Sequence, residues 1–199
     1  MPPTNPARRQ ALTDAAIDLL AASGVHGVTH RAVEKEAGLP AGTASNYFRS
    51  REALLVAAAE RVVELHLADM DQAAGHQPAG GADLVEMLTE SLLAAATTLR
   101  HRYLAIFELQ LEAVRRPALA AALAGLQEVA VRVTAGHHDQ LGLKIAREKV
   151  PALIALYGSA LFALVSAPPS SVTRPAVEAI VDTMVYGSAV PDDPAAFTL

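Results

Sequence analysis

The spacing of apolar residues constrains the fold of this chain more than any other feature of its sequence. Leu12, Ala15, Ala16, Leu19 and Leu20 recur at intervals of three and four, which places them on one face of an α-helix. Similar stripes recur along the chain, and no run alternates convincingly as a half-buried strand would. Hydrophobic residues make up 52 % of the sequence and aromatic residues only 4 %, and Ala, Leu and Val dominate. This composition favours helix over sheet, so the sequence predicts an all-α fold.

Capping residues divide the chain into about nine predicted helices. Asn5 and Pro6 suit the start of the first helix, and Thr29 and Ser50 suit the N-caps of the second and the fourth. The expected segments are Asn5–Gly24, Thr29–Ala37, Ala41–Phe48, a helix from Ser50 to the Gly/Pro-rich loop Gln72–Asp83, a helix starting at Asp83, and further helices around Tyr103–Val114, Pro117–Val133, Lys149–Ser166 and Val177–Val185.

The charge of the chain is unevenly distributed. The formal net charge is −5, which argues against a general binder of polyanions. Residues 1–51 contain six basic and four acidic residues, a net charge of +2, so the remainder carries −7. A basic segment on an acidic body predicts that any contact with nucleic acid is local. There is no cysteine, which excludes disulfides and thiolate metal sites.

Two short predicted helices lie on either side of a tight turn in the segment "EKEAGLPAGTASNYF". Gly38 suits the left-handed backbone with which a chain leaves a helix, and Pro40 suits the first turn of the next one. Val33, Ala37 and Phe48 are expected to face the core. This arrangement predicts a helix-turn-helix motif over about residues 29–48.

The second helix of this motif leaves small and hydrogen-bonding side chains on its outer face. Thr, Ser and Asn side chains can bond to base edges in the major groove, and small residues allow a close approach. Tyr47 and Arg51 are placed to contact phosphates, which orient a protein on DNA without specifying the sequence. The predicted DNA-contacting residues are Thr29, Arg31, Ala41, Gly42, Thr43, Ser45, Asn46, Tyr47 and Arg51.

The stretch "VTHRAVEKEAGLPAGTASNYFRSREALL" resembles the DNA-binding domain of the tetracycline-repressor (TetR) family of transcriptional regulators. The matching residues are Thr29, Val33, Ala37, Gly38, Gly42, Thr43, Phe48, Ser50, Glu52 and Leu54. Arg51 replaces the usual Lys, Ser45 a common Tyr, Tyr47 a common His, and Pro40 a usual Ser or Thr. The resemblance implies a three-helix DNA-binding domain over residues 1–50, a helical effector-binding and dimerisation domain over residues 51–190, and a tail over residues 191–199.

The resemblance also implies that the last two long helices form a four-helix bundle with a second subunit. The expected interface residues are Leu153, Tyr157, Leu161, Leu164, Val177, Ile180, Val181 and Met184. The uncharged span Val150–Pro169 is almost long enough to cross a bilayer, which is the alternative interpretation. Pro151, Gly158 and Ser159 weigh against it and favour a helix buried on all sides, with no membrane partner.

An effector cavity is expected among the fifth to eighth helices. Its predicted lining residues are Met87, Tyr103, Phe107, Glu108, Leu111, Tyr157 and Phe162. Few aromatic and many aliphatic residues indicate a largely hydrophobic small molecule, and Glu108 or Glu112 could pair with a cationic or hydroxylated one. The alternative is that these apolar residues fill the core and that both carboxylates lie on the solvated side of the helix.

These features together predict a cytoplasmic, homodimeric, ligand-responsive repressor that binds a palindromic double-stranded DNA operator without a cofactor or metal. A helical dimeric small-molecule-binding or scaffold protein without DNA binding is the first alternative. An enzyme using Glu108 or His101 is another, although no set of residues converges as a catalytic site would require. In "GHHDQ", Gly136–Gln140, His137 and His138 would point to different helix faces, which favours a surface helix end over a metal site.

Overall fold

The computed structural model of the protein describes residues 5–75, 84–126, 128, 148 and 150–186, and within these the regular elements are all helical. The α-helices are α1 (Pro6–Gly27), α2 (His30–Glu36), α3 (Thr43–Tyr47), α4 (Arg51–Gly75), α5 (Leu84–Ala96), α6 (Arg100–Ala113), α7 (117–126), α8 (Val150–Ser166) and α9 (Arg174–Tyr186). A turn of 3-10 helix at Pro169–Ser171 separates the last two. The predicted all-α fold is confirmed.

The predicted N-caps form the hydrogen bonds that define them. The Asn5 side-chain oxygen accepts the Ala7 N–H at 3.0 Å, with Pro6 as the first helical residue. The Thr29 hydroxyl accepts the Ala32 N–H at 3.1 Å, and the Ser50 hydroxyl accepts the Ala53 N–H at 3.1 Å. Each side chain satisfies an N–H group that the first turn of a helix leaves without a partner.

Two helices near the turn have boundaries different from those predicted. The first helix was expected to end at Gly24, but α1 breaks there, with φ +67°, and resumes helical geometry to Gly27. The third helix was expected to begin at Ala41, but α3 begins at Thr43 because Gly42 has a left-handed backbone with φ +84°. Ala41 and Gly42 therefore belong to the turn.

Helix α4 extends into the segment Gln72–Asp83, which was predicted to be a loop. Helix α4 continues through Gly75, since Gln72, Ala73 and Ala74 all favour helical conformation and nothing before Gly75 interrupts the helix. The predicted cap Asp83, the histidine-containing segment Gly136–Gln140 and the tail 191–199 lie outside the described residues.

One hydrophobic core connects the N-terminal helices to the rest of the molecule. Leu12 and Leu20 of α1, Leu54 and Leu55 of α4, and Leu109 of α6 are all fully buried in it. Full burial of one such side chain contributes about 1.5–3 kcal/mol. Because α6 contributes to this core, the three N-terminal helices share one core with the C-terminal part of the chain, and α1 packs directly against α6.

A second core lies between α5, α8 and α9, and it includes part of the predicted dimer interface. Four of the expected interface residues are buried within this core of the subunit: Leu161, Leu164, Val177 and Val181. Leu153, Tyr157, Ile180 and Met184 are half-buried. The large apolar side chains that α8 leaves in solvent are Leu156, 51 % exposed, and Phe162, 50 % exposed. Sequence spacing identified the apolar helices but not which face each one turns inward.

The uncharged segment that raised the question of a membrane span forms α8, which is 17 residues long. Among the described helices, none combines the length and the apolar character needed to cross a bilayer.

Candidate nucleic-acid interface

The turn between α2 and α3 is closed by hydrogen bonds to backbone carbonyl groups. Gly38 has φ +63°, so the chain leaves α2 in the left-handed conformation that glycine adopts without strain. The Leu39 N–H then donates to the Glu34 carbonyl at 2.9 Å. At the other side of the turn, the Thr43 hydroxyl donates to the Pro40 carbonyl at 2.6 Å. The sequence correctly predicted the turn, and these bonds fix its geometry.

The start of α3 is capped by a residue that sequence analysis did not identify. Gly42 occupies the N-cap position and has no side chain with which to cap the helix. Glu34 of α2 is 5 % exposed, and one of its carboxylate oxygens accepts the Ala44 N–H at 2.8 Å. A carboxylate at this place also interacts favourably with the positive end of the helix dipole. The sequence signal was an acidic residue beside the buried Val33, ten residues before a helix that starts with glycine.

The end of α3 is held by His30, the first residue of α2. Its Nε2 atom lies 2.8 Å from the Phe48 carbonyl oxygen and donates to it when that nitrogen carries the proton. The Phe48 ring is buried in the first core. Both ends of α3 are therefore fixed by side chains of α2, which positions the short helix although it is only five residues long.

The beginning of α1 is attached to the end of α3. The Tyr47 hydroxyl accepts the Asn5 N–H at 3.2 Å and lies 3.3 Å from the Asn5 carbonyl, to which it can donate. The Arg9 guanidinium carbon lies 5.6 Å from the centroid of the Phe48 ring, a cation–π distance. These contacts place the N-terminus of α1 beside the C-terminus of α3.

Arg51, predicted to contact phosphate, is engaged by the protein backbone. Its Nε donates to the Val28 carbonyl at 2.8 Å, and a terminal nitrogen donates to the Val25 carbonyl. These are carbonyls at the end of α1, where a helix has no further N–H groups to offer. Arg51 therefore fastens the start of α4 to the end of α1, a role that its position in the sequence did not reveal.

The remaining predicted DNA-contacting residues lie on or near the outer side of this unit. Thr29 and Arg31 are exposed on α2, and Ser45 and Asn46 are exposed on α3. Thr43 and Tyr47 are half-buried, whereas Ala41 and Gly42 are exposed in the turn. Thr29 also serves as the cap of α2. The structure thus brings the predicted residues of α3 together on one helix whose exposed side carries Ser45 and Asn46.

Family models match both parts of the chain. The model described as bacterial regulatory proteins of the tetR family matches residues 12–58, which contain most of α1, all of α2 and α3, and the start of α4. The model described as the tetracyclin repressor-like C-terminal domain matches residues 79–187, more than half of the sequence. The chain belongs to the TetR family of bacterial regulatory proteins.

Solved structures of TetR-family regulators resemble this one over most of their length. The multidrug binding protein EbrR in complex with ethidium is 27 % identical, with a TM-score of 0.64, over 89 % of this chain and 98 % of that one. EbrR in complex with proflavin is 26 % identical, with a TM-score of 0.60, over 89 % and 99 %. A TetR-family member from Streptomyces coelicolor A3, SCO1917, is 27 % identical, with a TM-score of 0.66, over 90 % and 98 %. Comparison with curated proteins gives no match.

The TetR-family C-terminal domain of this chain contains a row of aromatic side chains that crosses three helices. The His66 ring of α4 lies 5.8 Å from Tyr103 of α6, which lies 6.3 Å from Phe107. Phe107 in turn contacts Phe162 of α8 at 5.1 Å in an edge-to-face arrangement. Burial raises the pKa of Tyr103 far above its ordinary value, and burial together with the nearby Arg102 lowers the pKa of His66. The row is therefore uncharged at neutral pH.

The other predicted effector contacts of this TetR-family domain are dispersed. The Tyr157 hydroxyl pairs with that of Ser91 at 2.7 Å, and Met87 is half-buried on α5. Leu111 is 60 % exposed and belongs to neither core. Glu108 does not join the aromatic row, because its carboxylate accepts the Val25 N–H of α1 at 2.9 Å. Two clefts of about 200 and 310 Å³ are lined instead by residues such as Asp14, Arg61 and His101, and none of the predicted effector contacts lines either.

Glu112, one turn after Glu108 on α6, is also engaged within the protein. Its carboxylate is held by the guanidinium groups of Arg116 and Arg115, both just beyond the end of the same helix. Arg116, and then Arg115, keep the pKa of Glu112 below its ordinary value, so the group is ionised at neutral pH. Neither carboxylate that the sequence offered as a partner for an effector projects into the aromatic row.

Proposed function

We propose that this TetR-family protein is a homodimeric, ligand-responsive transcriptional repressor of a palindromic operator. The observation that supports DNA recognition is the exposed side of α3, which carries Ser45 and Asn46 on a helix whose two ends are hydrogen-bonded to α2. A fixed helix with polar side chains can enter the major groove and bond to base edges. Two such helices in a dimer would bind half-sites about 34–36 Å apart, or a multiple of that distance.

The outer face of α8 supports the proposed dimer. Leu156 and Phe162 are about half exposed there, on an apolar helix with no charged residue. Packing against the same face of a second copy would remove both side chains from water. The buried residues Leu161, Leu164, Val177 and Val181 would then support this face from behind. The other half-buried residues of the predicted interface lie on the same two helices.

An arginine substitution at this face tests the dimer. Leu156→Arg places an unpaired charge in an apolar interface and should convert the dimer to monomers in sedimentation velocity at micromolar concentration. Leu111→Arg is the matched control, because Leu111 is comparably exposed but lies on α6. A wild-type protein that sediments as a monomer, or an equal loss of dimer in both variants, would contradict the proposal.

The proposed effector is a planar, largely hydrophobic molecule, and a cationic one is preferred. EbrR, a relative over most of its length, has been solved with ethidium and with proflavin. In this chain the row Tyr103–Phe107–Phe162 offers aromatic faces and edges to such a ligand, and a cation gains further from aromatic faces. We call α1–α3 together with the start of α4 the DNA-binding head of a subunit. The effector must prefer the conformation in which the two heads of the dimer no longer match the operator, since only differential affinity shifts an equilibrium.

Selection from a random pool of DNA duplexes tests DNA recognition. The wild-type protein should enrich a palindromic sequence and shift it in a gel with a strong dependence on salt. In transcription in vitro, a promoter overlapping that sequence should be repressed by the protein. A pool that remains random after selection would refute sequence-specific binding, whereas enrichment combined with increased transcription would refute the repressor role alone.

Ethidium and proflavin test the effector class, with a control for their own affinity for DNA. At one hundred times its dissociation constant, a ligand specific for the folded state adds about 2.7 kcal/mol of stability, visible in a melting curve without DNA. Tetraphenylphosphonium, a hydrophobic cation that does not intercalate, separates release by the protein from distortion of the duplex. Phe107→Ala should lose the thermal shift with all three compounds. An unchanged shift in this variant would place the ligand elsewhere.

A further inference from the structure

Val25 lies at the break in α1, and its two backbone groups are held by charged side chains from different parts of the molecule. Its N–H donates to a carboxylate oxygen of Glu108, on α6, at 2.9 Å. Its carbonyl accepts from a terminal nitrogen of Arg51, the first residue of α4. The negative group thus meets the donor and the positive group meets the acceptor, which is the favourable arrangement for both hydrogen bonds.

The break explains why the Val25 N–H needs a partner from outside α1. Gly24 has φ +67° and ψ −178°, so the regular ladder of helical hydrogen bonds does not continue through it. Val25 is buried, and a buried backbone group without a partner is costly. Glu108 supplies a partner for the Val25 N–H from outside α1. The Val25 carbonyl accepts the Val28 N–H at 3.3 Å, and Arg51 is a second donor to it. A side chain at Gly24 would be strained by the positive φ, and its Cβ would lie 3.0 Å from the same Glu108 oxygen.

The same contacts join the two functional parts of the molecule. Arg51 also donates to the Val28 carbonyl at 2.8 Å, immediately before the cap of α2, and it follows α3 by only three residues. Glu108 belongs to α6, between Phe107 of the aromatic row and Leu109 of the first core. Any displacement of α6 that moves Glu108 must either break its bond to Val25 or shift the segment to which Arg51 is attached.

We propose that Glu108 is a positioning residue for the DNA-binding head, acting through the Val25 backbone on Arg51. This inference rests on the proposed function as a DNA-binding regulator and assigns part of its regulation. To bind the operator, the protein must keep α2 and α3 in a fixed orientation relative to α4. The contacts of Glu108 and Arg51 with Val25 maintain this orientation and connect it to the C-terminal domain. Glu108 therefore couples the position of α6 to that of the head, and it is not a contact for the effector.

A double-mutant cycle on operator binding tests the connection without any effector. Glu108→Ala should weaken binding to the selected duplex by roughly tenfold, the size expected for loss of one hydrogen bond to an ionised acceptor. Glu108→Gln keeps an oxygen acceptor and should recover most of the affinity. Because Glu108 and Arg51 act on the same residue, the effects of Glu108→Ala and Arg51→Ala should be clearly less than additive when combined.

Asp69→Ala is the control for a purely structural effect. It removes the ion pair between Asp69 of α4 and Arg102 of α6, which is a comparable loss in the same domain with no link to Val25. The control should lower the melting temperature without changing the affinity of the folded protein for the operator, and it should combine additively with Arg51→Ala. Additive effects of Glu108→Ala and Arg51→Ala, or a Gln variant as weak as the Ala variant, would overturn the inference.

Hydrogen exchange provides a second readout that does not depend on DNA. In Glu108→Ala the Val25 amide should exchange faster. The amides of residues 29–48 should also exchange faster, although these residues are far from Glu108 in the sequence. Glu108→Gln should restore slow exchange in both places. If the wild-type protein fails to bind any duplex, the proposed function fails and the exchange data alone decide the inference. Faster exchange confined to the Val25 amide would show that the bond to Glu108 has only a local effect and does not stabilise residues 29–48, and this result would refute the inference.

Discussion

The DNA-binding head and the bundle formed by α5, α8 and α9 are both helical, but different interactions hold their parts in place. In the head, Glu34, His30 and Arg51 reach from one element to the backbone of another, at 2.8 Å in each case. In the bundle, the contacts across helices are mainly apolar, with Leu164 and Val177 as central examples. The ion pairs that Arg174 makes with Glu86 and Glu178 lie at the solvent-exposed surface, where such pairs contribute little.

The difference matters because hydrogen bonds are directional and apolar packing is much less so. A bond of 2.8 Å weakens steeply when its angle changes, so the head has one preferred geometry. Apolar cores tolerate rearrangement when volume is conserved. The bundle also contains the Thr89 hydroxyl, which is buried without a hydrogen-bond partner among the described residues. A region that recognises bases needs the first property, and a region that accommodates an effector benefits from the second.

The largest expected effect is on the free energy of unfolding and should leave operator affinity unchanged. Leu164→Ala removes a side chain that is 5 % exposed in the second core and should lower the free energy of unfolding by about 2–5 kcal/mol. Denaturant titration measures the loss. The operator affinity of the protein that remains folded should stay unchanged, because no directional bond of the head is involved. A parallel loss of affinity would show that the two regions are not separable in this way.

The next variant should have a smaller effect on a free energy than Leu164→Ala but a larger effect on operator binding. Glu34→Ala leaves the Ala44 N–H without its carboxylate partner and should weaken operator binding by about 1–3 kcal/mol. Glu34→Gln retains an oxygen acceptor and should lose less. Glu36→Ala, an exposed change on the same helix, serves as the control in the same fluorescence-anisotropy titration. Equal losses for Glu34→Ala and Glu36→Ala would indicate a charge effect instead of capping.

The features of the structure that could be predicted from the sequence are the local ones. Asn5, Thr29 and Ser50 were recognisable as caps because each bonds to an N–H two or three residues away. Helix boundaries at Gly42 and Gly75 were less predictable, since glycine permits several conformations and neighbouring residues decide among them. The helix-turn-helix and the exposed positions of α3 followed from local spacing alone.

The bonds that connect distant segments were not predictable in this way. Glu34 and Ala44 are ten residues apart, Arg51 and Val25 are 26 apart, and Glu108 and Val25 are 83 apart. In sequence, each charged residue fits the solvated side of its own helix equally well. Which face turns inward is decided by packing against elements elsewhere in the chain, and for the same reason the sequence did not show that Leu161 and Val181 face the subunit's second core.

Two variants on the outer surface should distinguish base recognition from phosphate contact. Asn46→Ala, on the exposed side of α3, should relax preference at one base position per half-site by about 1–3 kcal/mol. Arg31→Ala, on the exposed side of α2, should weaken binding to all sequences alike and reduce the salt slope by about one per contact. Repeating the duplex selection with each variant measures both effects. The assignment of roles would be wrong if Arg31→Ala altered base preference and Asn46→Ala did not.

The smallest expected effect concerns His66, the residue of the aromatic row that can become charged when the pH is lowered. His66 packs edge-to-face on Tyr103, and burial, followed by the nearby Arg102, lowers its pKa from the ordinary value of 6.5, while Asp69 acts in the opposite direction. The unfolded chain therefore binds this proton more readily than the folded one. The contribution of His66 to stability is complete above pH 6.5 and is lost as the pH falls below that value towards the lowered folded pKa.

His66→Phe keeps an aromatic ring against Tyr103 and removes the titration, so it should flatten this part of the pH dependence. Melting temperatures at about pH 7.5 and about pH 5.5, on either side of the ordinary histidine pKa, measure the difference in both proteins. The wild type should lose more stability on acidification than the variant does. Because the head contains no aromatic row of this kind, operator affinity of the folded protein should change equally with pH in both. An identical fall in melting temperature in the two proteins would show that the acid sensitivity arises outside the aromatic row.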